Sequence, residues 1–463
     1  MINTPVLIGS LTAISPLDLM FVVAVILFML FCEIKYKGSL ISLVIVGLVL
    51  FSKGFAYLNI KIGPLPLYIT EIALVITISR LFVDKVASGG RVKYLQNIPL
   101  KKEFKLFYLI GFICLARGLF SSSTMLALRH SAMVYYSVFY FLTPILFDTM
   151  EKIEKLLKLI FTACFIITIA FFFKVNFQLN KYGNLGDFLY FYLCLAMIFE
   201  SLCLVSLKKR EHKVFFISIV FLQLLAVLIY ECRASWVALS ASFLFLFYLH
   251  NVTKGKLNKK IKKVFVRILL VGIILIVSAG ILKPSLLKHL RKEAASIIFY
   301  DKMVTSAAGN SRYRLFLWRE MLEAISIKPL FGWGFGKGFL PYSLEAKGWL
   351  TGDAKKRAWV APHNSILNMT YKTGIIGFLI FILILSNFFR RIIRFIKYDC
   401  EDEKIRIYST ALLSCVVYIL VVSLFGATLE APHLGSFLWI TMGLTIAVEN
   451  IYKKNTNKVY LSP

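Results

Sequence analysis

Runs of about 20 mostly apolar residues recur from Leu17 to Ile451 with little between them, and that recurrence leaves few folds open. A helix of such length crosses the hydrocarbon core of a bilayer, where every backbone polar group has to be satisfied inside a helix or a closed barrel. A barrel would alternate apolar and polar residues over segments of about 10 residues, and that pattern is missing. An all-α polytopic membrane protein is expected. Composition agrees: 59% of the 463 residues are apolar and the mean hydropathy is +0.77, far from the soluble mix.

Thirteen spans are predicted, near 17–32, 39–56, 68–83, 105–120, 130–147, 157–173, 187–207, 214–230, 235–250, 264–282, 364–389, 407–425 and 434–452. The second and fifth carry the weakest signal, which leaves a count of 12 or 13. Alternate connections differ sharply in charge. One set, from Lys35 to Lys458, holds 31 Lys and Arg residues, whereas the other holds only Lys53, Lys61, Arg129, Lys174, Lys181 and Arg233. By the positive-inside rule the N-terminus is expected outside and the C-terminus in the cytoplasm. No positively charged region precedes the first apolar run, so that span is expected to be retained. The expected organisation is a bundle of about ten spans over 1–282, a long external loop over 283–363, and C-terminal helices with a cytoplasmic tail over 364–463.

The net charge of +30 invites a nucleic-acid reading, but its placement in short clusters between apolar runs is that of topology signals. No nucleic-acid partner is expected; the lipid bilayer is the partner the pattern implies. The eight cysteines are scattered, and no pair has zinc spacing or suggests a disulfide framework.

The long loop carries 14 basic against 6 acidic residues. Long loops escape the positive-inside rule, so this excess reads either as a solvated cap or as a face that attracts a polyanion such as a lipid diphosphate. Arg233, in Glu-Cys-Arg-Ala-Ser-Trp between two apolar runs, either snorkels to the headgroups or offers phosphate a bidentate, permanently charged fork. Asn310-Ser311 is expected to cap a helix from about Arg312 to Ile327, with Leu315, Trp318, Leu322 and Ile325 as its packing face. Arg312 and Arg314 lie roughly 200° apart on an ideal helix. Arg314 is favoured as the inward one because Trp318, one turn on, shares its face.

Gly332, Gly334, Gly336 and Gly338 alternate with larger residues. Their spacing is that of neither a dinucleotide fingerprint nor a P-loop. It suits tight turns with positive φ, or amides that approach an anion. His363, followed by Asn364 at the start of an apolar run, can accept a proton near neutrality. No second histidine or carboxylate cluster suggests a metal. His433 with Glu430 is a reserve pair, and Glu71, Arg80 and Arg117 read as structural ion-pair members inside the bundle.

These residues together resemble a known family, the O-antigen ligase and O-antigen polymerase superfamily of bacterial membrane glycosyltransferases. The motifs that carry the resemblance are Arg233-Ala-Ser-Trp236, Ser311-Arg-Tyr-Arg-Leu-Phe-Leu-Trp318, Lys328-Pro-Leu-Phe-Gly-Trp-Gly-Phe-Gly336, and His363-Asn-Ser-Ile-Leu continuing to Gly374-Ile-Ile-Gly377. They cover about residues 190–450 in order, with Leu128-Arg129-His130 as a looser match. The chain departs from the family at Cys232-Arg233-Ala234, where Ser-Arg-Gly is common.

The resemblance implies glycan transfer from a polyprenyl-diphosphate-linked donor to a glycan, lipid or protein acceptor, with no cofactor, metal or nucleotide sugar. Arg233, Arg314 and His363 would be catalytic. Arg312, Trp318, Gly332, Gly334, Gly336, Asn364 and Arg129 would bind substrate. The bacterial cytoplasmic membrane is the implied location, and a flippase or chain-length regulator of the same pathway an implied partner. A polymerase of surface polysaccharide (O-antigen, capsule or exopolysaccharide) is favoured over a ligase that moves a finished chain. A lipid-linked sugar transporter is the rival from another class, but it calls for midplane charges and internal symmetry that the sequence does not show.

Overall fold

The computed structural model describes residues 27–62, 65–90, 98–121, 124–175, 178–180, 183–186, 188–206, 209–230, 232–252, 306–340 and 360–461. Among these the chain is almost wholly helical. Its strands are two short antiparallel hairpins, Asn59–Ile62 with Leu65–Tyr68 and Gln178–Asn180 with Gly183–Asn184. Among the described residues five helices are long and apolar enough to cross a membrane: Met150–Phe172, Glu211–Ile229, Ser365–Asp399, Glu403–Ser423 and Pro432–Thr456. The protein is an all-α, multi-pass membrane protein. The predicted segments 68–83, 105–120, 187–207 and 235–250 are also helices, over Ile69–Ala87, Lys101–Ser121, Leu189–Ser206 and Arg233–Val252. The predicted span 264–282, and most of 17–32, lie outside the described residues.

Two predicted spans are not continuous helices. The segment 39–56 stops at Phe51, and it reaches spanning length only together with Leu27–Lys35, from which it is bent by 117°. The bend has a local cause. Gly38 takes φ +87, and the buried Glu33 carboxylate accepts the amides of Gly38 (3.0 Å) and Leu40 (3.1 Å), as a cap does. The segment 130–147 is broken into Thr124–His130, Ala132–Tyr135, a 3-10 turn and Phe139–Leu146. Ser131, Ser137 and Thr143 return their hydroxyls to carbonyls three or four residues back, and Pro144 sits inside the last piece. An apolar run alone does not show such breaks.

The chain forms two compact units. One contains 2–99, 138–196 and 439–463; in it the Ser39–Phe51 helix packs on Met150–Phe172. The other contains 100–137 and 197–438 and carries every candidate site residue. Its Arg233–Val252 helix lies along Glu403–Ser423. Lys101–Ser121 packs on Ser365–Arg394 through Phe107 and Phe381 and through a 2.8 Å bond from Asn387 to Glu103.

Candidate functional site

Arg233 opens its helix on a fastened turn. The hydroxyl of Tyr418 donates to Ser235 at 3.0 Å, and Trp236 Nε1 reaches back to the carbonyl of Val227 at 3.4 Å. Arg233 itself is half-buried, and its Nη1 lies 3.5 Å from Ser311 Oγ, at the long limit of a hydrogen bond. The first two sequence motifs therefore meet.

The helix that carries Ser311 runs from Ser306 to Ile327, so Asn310 and Ser311 lie inside it and do not cap it. Its buried face is Leu317, Met321 and Ile325, packed with Phe339 and Tyr371, while Leu315 and Leu322 are exposed. The expected packing face was therefore rotated. Arg314 is half-buried and Arg312 exposed. Between them Tyr313 stays protonated, because burial pushes its phenol up. Trp318, one turn beyond Arg314, donates its indole N–H to the carbonyl of Pro362 at 2.9 Å. This helix thus touches Arg233 at one end and the residue before His363 further along.

The glycine-rich turn is a clasp. The helix Ser365–Arg394 is interrupted at Gly374, whose φ is +72 and ψ −177. The interruption frees backbone groups, and the turn satisfies them: Trp333 and Gly334 donate to the carbonyls of Tyr371 (2.8 Å) and Lys372 (2.9 Å), while Ile375 donates to Pro329 at 2.8 Å. Gly332, Gly334 and Gly336 take φ of +60, +83 and +87, as tight turns need. Their amides are already engaged. Gly332 donates to Lys328, Phe335 to Cys114, and Gly336 to His130 Nδ1 at 3.1 Å. Arg117 holds the carbonyls of Phe331 (3.0 Å) and Gly332 (3.1 Å), and Glu71 closes the start of its own helix by accepting the amide of Tyr68. The amides of this turn face protein acceptors rather than an anion.

His363 stands between two fixed points in a backbone conformation that is unusual for a side-chain-bearing residue, φ +51. Before it, Trp318 holds Pro362. After it, Asn364 caps the helix, its Oδ1 accepting from Ile366 and Leu367 at 3.0 Å each. The next residue is fixed as well: Ser365 Oγ accepts the amides of Thr428 (2.8 Å) and Leu429 (3.1 Å) and donates toward Glu430 Oε2 at 2.6 Å. Glu430 Oε1 accepts from Asn368 at 2.6 Å. One turn further is Lys372, 4% exposed, on which the charges of Glu430 and Arg129 both act. Half-buried Arg129 precedes His130, whose Nδ1 carries no proton because it accepts the Gly336 amide.

Sequence reasoning named Glu430 only as a reserve, and missed Ser365, Asn368 and Lys372. A signal was present: these three are polar at i, i+3 and i+7 in an apolar helix, one face of the cylinder.

Residues 218–382 match the family model described as O-antigen ligase. Over that stretch the chain is similar to the O-antigen ligase and polymerase superfamily. A "Putative polysaccharide ligase" of Rickettsia typhi is 23% identical over 193 residues, and one of Rickettsia felis is 22% identical over 193 residues. Each match covers 42% of this chain and 42% of the relative, so less than half of the relatives' length is aligned. The O-antigen ligase stretch includes Arg233, Arg314, the glycine clasp, His363 and Lys372. It leaves out Arg129 and Glu430.

Proposed function

We propose that this protein is a glycosyltransferase that moves a glycan from a polyprenyl diphosphate to an acceptor hydroxyl at the outer face of the bacterial cytoplasmic membrane. The observation that carries the reading is the convergence of three motifs on one helix: Ser311 beside Arg233, Arg314 on the half-buried side, and Trp318 bonded to Pro362. In this reading the acceptor oxygen attacks the anomeric carbon, and the bond from that carbon to the diphosphate oxygen breaks with its electron pair. His363 takes the acceptor proton. Arg233 and Arg314 hold the diphosphate and stabilise the charge that grows on it, with Arg312, Arg129 and Trp318 at the edge of the same site. The N-terminus and the segment 283–363 lie outside and the C-terminus in the cytoplasm, the arrangement that the charge distribution supports.

The test is transfer by purified protein in liposomes, given a polyprenyl-diphosphate-linked oligosaccharide with and without a chelator. A ladder of longer lipid-linked chains indicates a polymerase, the favoured activity. The names of the relatives favour a second reading, a polysaccharide ligase, and transfer only after a distinct lipid or protein acceptor is added would support it. Donor movement across the bilayer with no glycosidic bond formed would replace both with transport.

A further inference from the structure

Glu430 is bonded to two successive turns of the helix that starts just after His363, yet nothing in the transfer chemistry uses it. Ser365, Asn368 and Lys372 line one face of that helix. The carboxylate bonds the first two at 2.6 Å each, and its charge acts on the third. Its three partners on the helix are buried, with Ser365 at 0%, Asn368 at 6% and Lys372 at 4% exposure, and Glu430 is half-buried beside them. Glu430 is the carboxylate whose charge acts on the buried Lys372. Removing one member of a buried charge set leaves the other uncompensated, and that loss is larger than the net worth of the pair.

We propose that Glu430 is a positioning residue for His363, and that Lys372 is the counter-charge that holds Glu430 in place. The reach to His363 is short. Ser365 is bound by Glu430 and by the amides of Thr428 and Leu429, Asn364 caps the same turn, and His363 is held at φ +51 directly before them. A carboxylate on the connection between the last two helices thereby fixes where the imidazole stands. The charge balance of Lys372, Arg129 and Glu430 decides whether that connection stays seated. This inference rests on the proposed role of His363.

The experiment measures kcat and KM for transfer in liposomes with four proteins: wild type, His363→Ala, Glu430→Gln, and Glu430→Gln combined with Lys372→Met. Glutamine keeps the shape and one acceptor but removes the charge. The expected result for Glu430→Gln is a fall in kcat of about 10- to 100-fold with KM little changed, since small misplacement of a catalytic group acts on turnover. The double variant is expected to recover to within about threefold of wild type, because it removes the stranded charge as well. A purely structural role would move KM and detergent stability along with kcat and would give no recovery.

Wild-type turnover of Glu430→Gln, or a double variant as slow as the single, overturns the proposal. If Glu430→Gln does not insert, Asn368→Ala decides: it removes one donor and no charge, a several-fold lower kcat is expected, and wild-type kcat overturns the proposal. Full activity of His363→Ala would instead sink the transfer mechanism itself, so the two failures are separable.

Discussion

The indole of Trp318 and the carbonyl of Pro362 are bonded at 2.9 Å although 44 residues separate them in sequence. The bond fixes the backbone on the near side of His363, as Asn364 fixes it on the far side. Trp318→Phe keeps most of the packing and removes the donor. A stability loss of about 1 kcal/mol is expected, together with a several-fold fall in transfer, because the histidine gains freedom. Detergent melting and the liposome assay check both, and transfer at the wild-type rate would show that the bond does not govern His363.

The interruption at Gly374 makes a sharper stability prediction. A Cβ there would run into the carbonyl of Leu330, and φ is +72. Gly89 also has positive φ, +60, but open space where a Cβ would go. Gly89→Ala is therefore expected to show only the left-handed strain of about 1–2 kcal/mol. Gly374→Ala should lose that and the clasp as well, with poor insertion or a much lower melting temperature. Equal losses would mean that the clasp adds nothing to the stability of the helix.

Arg117 tests whether the clasp needs a fork or merely a cation. Its two Nη atoms reach adjacent carbonyls, Phe331 and Gly332, at 3.0 and 3.1 Å. A lysine presents a compact point charge and has no such planar fork. Arg117→Lys is expected to destabilise by about 1–2 kcal/mol while leaving the proposed catalytic residues untouched. Retained thermal stability in the lysine variant would argue that charge alone suffices.

How far the sequence reads depends on the distance over which each feature is decided. Helices such as Met150–Phe172 and Glu403–Ser423 follow from apolar runs alone, since lipid leaves the backbone no other solution. The positive φ at Gly332, Gly334 and Gly336 was equally local. The distant partners of the turn were not: Trp333, Gly334, Phe335 and Gly336 donate to acceptors at Tyr371, Lys372, Cys114 and His130, and no spacing rule reaches across such gaps. The same holds for Glu430, some 60 residues from the serine and asparagine it binds. The early start of the motif helix was hidden differently, because Ser306-Ala-Ala-Gly-Asn310 has no apolar period and includes poor helix formers. The 130–147 segment, already one of the two weakest span signals, erred the other way: it reads as one apolar run, but serines, a threonine and a proline divide it.

His363 offers the most direct test of the site, because its backbone carries a signature that its chemistry does not. At φ +51 any side chain with a Cβ is strained, by about 1–2 kcal/mol, whereas glycine is not. His363→Ala and His363→Gly both remove the proposed base, and both are expected to lose transfer. They should differ in stability, with the glycine variant the firmer of the two by about 1 kcal/mol once the greater freedom of its unfolded chain is discounted. Strain held at a residue whose removal ends activity is what a positioned catalytic group shows. Transfer that survives in either variant would remove His363 from the mechanism. Equal melting temperatures would mean that the left-handed backbone there is set at no cost by Pro362, Asn364 and the groups that hold them.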